Sequence, residues 1–485
     1  MTEFSFVVEG EPDEIVVGRG QYVAVPMSDG LVIARVQNLL GMNRYYQHAE
    51  AVREYQSHGE PLRTIFPTDR WQYTVAETRV LGYWRDGRSV RPYFVVPPGS
   101  IVRPVDESVL SKFLGLDPEH GLKLGRLTDH EIDFCPTLQG LLSKHMAILA
   151  MSGAGKSYFV SVLIEELLSR READGRLATV LVDVHGEYSY LTKMTPNDLG
   201  LPEGSVDIDH IRGSHIQIPV NSLSAETLAS FVSDMSPIQL RDLRRVLTEA
   251  RNRTDLLTLS DIATIISEDG KISKNTRDAL VGWILGLEDT GLFGKEALPE
   301  LVSSIRPGRV TLIDLSDFVS MKKKQIIVSY LAGELLNLRR RGLIPPFLLI
   351  LEEAHQFCPE GRHELALPRP QIETIAREGR KFFALLCLVS QRPVRLSTTV
   401  LSQCNTHAIF RTTNPYDLEH IGRSSEGIDK ESLEMITTLS VGEALFVGEA
   451  VTVPTFVRIR KRKFEPESAK SLEETLRAVS RQWSV

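Results

Sequence analysis

The segment Met146–Ser157, MAILAMSGAGKS, constrains this chain more than any other. Met146–Ala150 is an apolar run that predicts a buried strand. Met151–Ser157 is a loop punctuated by glycine. Val160, Leu163, Ile164, Leu167 and Leu168 then recur at i, i+3, i+4, i+7 and i+8, the spacing of a helix with one apolar face. A strand, a glycine loop and a helix in that order form the context in which G-x-x-x-x-G-K-[ST] binds phosphate. Gly153 and Gly155 let backbone N–H groups turn toward phosphate oxygens, and the helix N-terminus adds about half a positive charge. Lys156 would reach the β- and γ-phosphates of ATP, and Ser157 would ligate Mg²⁺. Ser152, Ala154 and Tyr158 complete the predicted nucleotide contacts. The motif departs at its first glycine, where Ala150 stands; alanine is small enough for the turn.

A phosphate loop needs acids to hold metal and activate water. Phe347–His355, FLLILEEAH, is a buried strand ending in two of them. Glu352 would complete the Mg²⁺ shell, and Glu353 would polarise the attacking water. Val180–Tyr188, VLVDVHGEY, ends another strand with Asp183 and Glu187. Strand C-termini of a parallel sheet converge on the ligand crevice, so both acids have a geometric reason to face a nucleotide. Ile375–Lys381, IAREGRK, precedes the strand Phe383–Val389 and then Ser390–Pro393, SQRP. Gln391 sits where a γ-phosphate sensor would lie. Arg377, Arg380 and Lys381 form a basic cluster at a helix end, where pairing with the helix dipole is the simplest account.

Around these motifs, apolar runs alternate with helical stretches from about Val105 onward, the pattern of an α/β domain with a parallel sheet. The predicted strands are Met146–Ala150, Ala178–Val184, Val310–Leu315, Phe347–Leu351, Ala384–Val389 and Thr406–Arg411. Residues 1–106 predict a small β-barrel, with a polar, helical insertion at Met42–His58. Residues 107–221 and 299–459 predict the two parts of the α/β core. Residues 222–298 are polar and helix-prone, a helical insertion; 460–485 predict a C-terminal helical brace.

The composition excludes other classes. Cys135, Cys358, Cys387 and Cys404 form no CxxC pair, which argues against zinc and a disulfide framework. The longest apolar run, about Phe382–Val389, falls far below the roughly 20 residues of a spanning helix. The acidic start Met1–Glu14 lacks a signal peptide's basic region. A cytoplasmic protein away from the membrane is expected. The net charge of −7 does not exclude nucleic acid, because a basic pore can lie inside an acidic exterior.

Together, ILAMSGAGKS, VDVHGEY, ILEEAH, IAREGRKF and SQRP, followed by Val441–Gly448, VGEALFVG, resemble the HerA family of hexameric DNA-translocating ATPases, within the HerA/FtsK branch of RecA-like P-loop motors. The resemblance spans about Lys123 to Ile459, outside the helical insertion. It implies a RecA-like core stacked on a β-barrel, ATP and Mg²⁺ as cofactors, a hexameric ring, and double-stranded DNA as the partner. It also implies Glu353 as the catalytic glutamate, Asp183 as an acid near metal and water, and Gln391 as the sensor. Arg380 matches an arginine finger given to the neighbouring subunit's ATP. Many relatives carry an arginine just before the first core strand as a second charge; here Lys144 stands there, without arginine's fork.

HerA-type motors work with nucleases, so the resemblance further implies a NurA-type nuclease in DNA repair, or an antiphage effector such as a nuclease or a sirtuin-type NADase. An ATP-gated scaffold that licenses an effector without travelling on DNA is the rival class, and a secretion-type transport ATPase a third. DNA-contacting residues are not legible. The loop Cys358–Pro370, with Arg362, His363 and Arg369, reads equally as a channel loop and as ordinary surface. Lys322–Lys324 reads as a solvated face. Arg458–Lys463, the densest basic run, reads as a solvated strand end, with DNA phosphate as the alternative.

Overall fold

In the computed structural model the described residues are 3–8, 17–43, 72–91, 95–232, 235–252, 256–361, 366–425 and 427–465. The predicted brace beyond 465 and nearly all of Met42–His58 lie outside them. The chain divides into two compact units, Met1–Thr137 with Val451–Arg458, and Leu138–Ala450 with Ile459–Val485.

The barrel region of the first unit is, among the described residues, an antiparallel sheet. Its strands run in the order Glu3–Val8, Gln72–Arg85, Gly30–Asn43, Tyr22–Met27 and Arg103–Pro104, with Arg88–Val90 against the second. Along Gln72–Arg85 burial alternates at Thr74, Ala76 and Thr78, the period of a strand with one face inward. Val8, Val23, Ala34, Val36 and Ala76 form one core cluster, and Val25, Val32 and Tyr83 another. The unit extends past 106 because later residues tie back into it. Tyr22 donates its N–H to His130 Nε2 at 2.9 Å. Arg35 donates to the Pro454 carbonyl at 3.1 Å, a contact 419 positions apart that no local pattern announces.

In the second unit every predicted core strand is present. Its strands are β1 (Met146–Leu149), β2 (Ala178–Asp183), β3 (Asp207–Arg212), β4 (Arg309–Asp314), β5 (Phe347–Leu351), β6 (Ala384–Ser390), β7 (Thr406–Phe410) and β8 (Glu443–Gly448). They lie side by side as β3-β4-β2-β5-β6-β1-β7-β8. All neighbours are parallel except β8, which runs antiparallel to β7. Strands β1, β5 and β6 are buried at every residue, as both-face coverage requires. The edge strand β3, DIDHIR, is only half-buried, which explains why no apolar run marks it. Within 222–298 lie the helices Ala225–Ser230, Pro237–Arg251, Leu259–Glu268 and Lys274–Glu288. Ile218–Pro219 pairs with Phe293–Gly294 and closes the neck of this excursion.

Candidate active site

The site sits at the C-terminal ends of β1, β2, β5 and β6. Gly153 and Gly155 adopt φ of +78° and +108°, a region in which a side chain is strained. The helix α1 (Lys156–Ser169) begins at Gly155 with no side-chain cap, so its first amides are left to an anion. Ser152, Gly153, Gly155, Lys156, Ser157, Tyr158, His185, Glu187, Glu353 and Gln391 line a cavity of about 400 Å³. The glycine loop, Glu353 and Gln391 therefore share one space. Ala154 is buried and does not line it.

Lys156 Nζ lies 3.2 Å from Glu353 Oε1 and 3.5 Å from Glu352 Oε1. Neighbouring strand residues normally point to opposite faces. Both acids reach one lysine because Glu353 adopts φ +48°, ψ +42° and breaks the alternation. A non-glycine residue held there stores roughly 1–3 kcal/mol of strain, which clusters at functional sites. Both carboxylates are buried; Glu352 Oε2 has no hydrogen-bond partner, and the polar neighbour of Glu353 Oε2 is a histidine, His355.

Burial opposes the Lys156 charge, but Glu352, Glu353 and Glu187 outweigh it and hold its pKa above the ordinary lysine value. Burial, reinforced by Glu187, pushes Glu352 up to about 8. Three acids thus face one ammonium, and the Glu352 carboxyl, crowded enough to keep a proton near neutral pH and with Oε2 orphaned, fits a dication that would displace that proton. Among the described residues no three His, Cys, Asp or Glu side chains close around one point. A dication here would take phosphate oxygens and water as its remaining ligands, as Mg²⁺ does in ATPase sites.

The loop after β2 departs from the sequence expectation. Asp183 does not line the cavity. Its Oδ1 accepts the N–H groups of His185, Gly186 and Glu187, and its Oδ2 that of Tyr188, at 2.8–3.2 Å. The carboxylate is spent on shaping the loop that projects Glu187, whose carboxylate accepts the Ser157 hydroxyl. The Tyr188 hydroxyl, 3.4 Å from Glu352 Oε1, and His185 are site residues the motifs did not announce. Another is His355, whose Nδ1 lies 3.2 Å from both Glu353 Oε2 and Ser390 Oγ. The histidine two residues beyond the acid pair was the available signal.

Two basic stretches each hold one residue that is not solvated as expected, and a third shows local pairing. Lys322 is exposed, but Lys324 is buried and donates to the Val184 carbonyl at 2.8 Å; it braces the Glu187 loop. Arg460 is no solvated strand end: its guanidinium pairs with Glu165 and Glu166 of α1 at 2.7 and 2.8 Å. Arg369 donates to the Pro359 carbonyl at 3.0 Å and to Glu373 at 2.8 Å. Arg362 and His363 lie outside the described residues.

Arg380 is exposed, far from its own chain's pocket. It borders an apolar hollow with Leu138, Leu142, Leu177, Pro346 and Phe383. Phe383 accepts the Phe347 N–H through its carbonyl, which fixes this turn at the N-terminal end of β5. Strand β6 has seven residues, so about 20 Å separates Arg380 from Gln391. Lys144 is at the same end, in front of β1, where it pairs with Glu449.

A sequence model of the helicase HerA central domain matches residues 122–335. Over 473 residues the chain is 30% identical to a probable helicase of Methanocaldococcus jannaschii, spanning 91% of this chain and 86% of that protein. Over 533 residues it is 27% identical to the DNA double-strand break repair helicase HerA of Pyrococcus furiosus, covering 95% and 92%. The solved structure of VirB4 of Thermoanaerobacter pseudethanolicus superposes with a TM-score of 0.54 at 15% identity, over 74% of this chain and 99% of that one. That last likeness is one of fold.

Proposed function

The chain belongs to the HerA helicase family of P-loop ATPases, and on that premise we propose that it hydrolyses ATP to move double-stranded DNA through a ring of identical subunits. The observation that carries this reading is Lys156 held between Glu352 and Glu353 inside a glycine-loop pocket. An incoming triphosphate would draw Lys156 away from the carboxylates, freeing Glu353 to orient water. Ser157, with Glu352 or Glu187 beside it, would hold Mg²⁺, which neutralises charge on the phosphate oxygens. Gln391 would sense the γ-phosphate from the end of β6. Asp183 serves this reading as a positioning residue, through the loop it caps.

Arg380 is too distant to act within its own chain, so it would complete the pocket of a neighbour, and a hexamer is the ring we propose. The name of the Pyrococcus relative, a DNA double-strand break repair helicase, supports DNA as the substrate. A NurA-type nuclease is the partner we propose, with an antiphage effector as the other family precedent. Among the described residues no helix is long and apolar enough to cross a membrane.

The test is ATP turnover with and without duplex DNA, paired with displacement of a third strand from a triplex. Duplex DNA should raise turnover, and the third strand should be released only with ATP. Lys156→Ala should abolish both, because several phosphate charges would be left uncompensated. Turnover indifferent to duplex DNA, with no displacement, would rule out the motor.

A further inference from the structure

The segment that follows Ile459 returns across α1 as a strap, and one buried acid holds it. Glu165 is fully buried on α1. It accepts Arg460 Nη1 at 2.7 Å, the Lys463 N–H at 2.9 Å and the Phe464 N–H at 3.0 Å. A buried carboxylate is costly unless fully paired, and among the described residues this one is paired only by the strap. Its position fixes Arg462 between two tyrosines. The guanidinium lies 4.4 Å from the Tyr158 ring centroid and 5.6 Å from that of Tyr190. Tyr190 in turn stacks on Phe464 at 6.1 Å with the rings 14° apart. The Arg462 N–H donates to the Tyr158 hydroxyl at 2.8 Å, and Arg462 Nη1 donates to that of Tyr190 at 3.0 Å.

These planar groups lead to the rim of the phosphate cavity, because Tyr158 also lines it. The loop takes the β- and γ-phosphates at Lys156 and Ser157, so the nucleoside end leaves past the next residue, Tyr158. We propose that Tyr158, held rigid by Arg462 and the strap, is the stacking platform for the nucleobase, and that Arg462 is its positioning residue. The proposal rests on the nucleotide-binding reading and extends it to a part of the ligand no phosphate loop recognises. Stacking is tolerant of base identity, because every base has a π-face. The platform should therefore strengthen ATP and GTP alike and contribute nothing to inorganic triphosphate. Burying the strap against α1 also makes this face part of the folded core, so the platform is formed before ligand arrives.

Calorimetric titration with ATP, GTP and inorganic triphosphate, all with Mg²⁺, tests this on the full chain. Tyr158→Leu should weaken ATP and GTP by about 10-fold or more and leave triphosphate at wild-type affinity. Tyr158→Phe, which keeps the ring but loses the hydroxyl that accepts the Arg462 N–H, should weaken ATP and GTP less than Tyr158→Leu does and leave triphosphate at wild-type affinity. Arg462→Gln should weaken ATP less than Tyr158→Leu does, again without touching triphosphate. Equal weakening of ATP and triphosphate in Tyr158→Leu would mean that the ring shapes the loop, and would overturn the proposal. Wild-type ATP affinity in that variant would overturn it as well. Should wild type bind neither ATP nor triphosphate, the nucleotide reading itself falls and takes the platform with it. Photolabelling of the wild-type chain by 8-azido-ATP is independent of variant folding. Label in the peptides carrying Tyr158 or Arg462 is expected; label confined elsewhere would overturn the proposal.

Discussion

The two ends of the parallel sheet are built to opposite specifications. At the C-terminal end, Glu352, Glu353 and Lys156 are buried around a polar cavity, and a strained residue aims one acid. At the N-terminal end, Arg380 and Phe383 are exposed beside a hollow lined by leucines and a proline. One end has crowded acids, an orphaned Glu352 oxygen and the Lys156 ammonium between them; the other has an exposed guanidinium. Each end offers what the opposite end lacks. A cyclic, head-to-tail assembly brings such ends together, since it places different patches of neighbouring copies in contact.

The sharpest way to break this comparison is Arg380→Ala. As a helix-end charge Arg380 would contribute about 0.3–1 kcal/mol of stability and nothing to turnover. As a group given to a neighbour's transferring phosphoryl it would contribute roughly 10³–10⁵ in rate. We expect unchanged thermal stability and ATP affinity, with turnover lost. Mixing Arg380→Ala with Lys156→Ala should return part of the activity, because a lysine-deficient subunit still offers its arginine to a neighbour that retains Lys156. If labelled subunits exchange and no activity returns at any ratio, the two ends do not meet.

Next in size is Glu353→Gln, within the C-terminal end. Groups that orient or deprotonate the nucleophile contribute about 10²–10⁴-fold. The amide is isosteric, so ATP should still bind while turnover falls by about 100-fold or more. Glu352→Gln inactive beside an active Glu353→Gln would exchange the two roles.

The two ends were unequally legible in the sequence. The C-terminal end announced itself because Met146–Ala150 and Phe347–Leu351 are continuously apolar and run straight into glycines or acids. Local pattern suffices when strand, loop and side chain are consecutive. It fails when function depends on what a charge is packed against. Asp183 looked like a site acid, yet four backbone donors from His185 to Tyr188 consume it. Arg458–Lys463 looked solvated, yet Arg460 meets Glu165 across 295 positions. Lys324 looked like surface and is buried. The first unit's extent was hidden for the same reason: 451–458 belongs to it although more than 300 residues of the second unit intervene in sequence. Basic residues carry no sequence sign of burial, and long-range pairs leave no local period.

A third, smaller effect probes the scaffold that presents Arg380. His145 is buried; its Nε2 lies 3.1 Å from the Ala376 carbonyl, and its Nδ1 accepts the Leu386 N–H at 3.0 Å. It thereby ties β1 to the helix Arg369–Glu378, which leads into Arg380. Burial lowers its pKa to about 4. Its contribution is fully present above the unfolded value near 6.5 and is lost as pH falls from there toward 4. At pH 5 the loss is about 2 kcal/mol. Glu352, pushed up by burial, works in the opposite sense. The measurement is therefore the difference in stability between wild type and His145→Asn at pH 7.5 and pH 5, which cancels Glu352. A difference that does not change with pH would show that His145 is not held neutral.

The smallest expected effect decides how many charges the N-terminal end contributes. Family resemblance puts a second catalytic charge at Lys144. The structure gives its ammonium to Glu449, whose carboxylate also accepts Ser143 Oγ at 3.1 Å and Asn405 Nδ2 at 3.3 Å. Hydrogen bonding from Lys144 comes first among the causes that hold Glu449 below its usual carboxylate range. The pair is partly exposed, 28% and 38%, so screening leaves it about 0–1 kcal/mol. The four residues of β1, about 13 Å of strand, separate Lys144 from its own phosphate loop. An ammonium already paired, and that far from the loop, has no route to its own chain's phosphates. Lys144→Ala should therefore lower stability by under about 1 kcal/mol and leave turnover within about twofold of wild type. Lys144→Arg should gain nothing, since the fork would remain on Glu449. Turnover falling by more than about 10-fold, with melting unchanged, would mean that assembly pulls Lys144 off Glu449. The N-terminal end would then supply two cations to the neighbouring pocket, and Glu449 would be the group that holds the second in reserve until subunits meet.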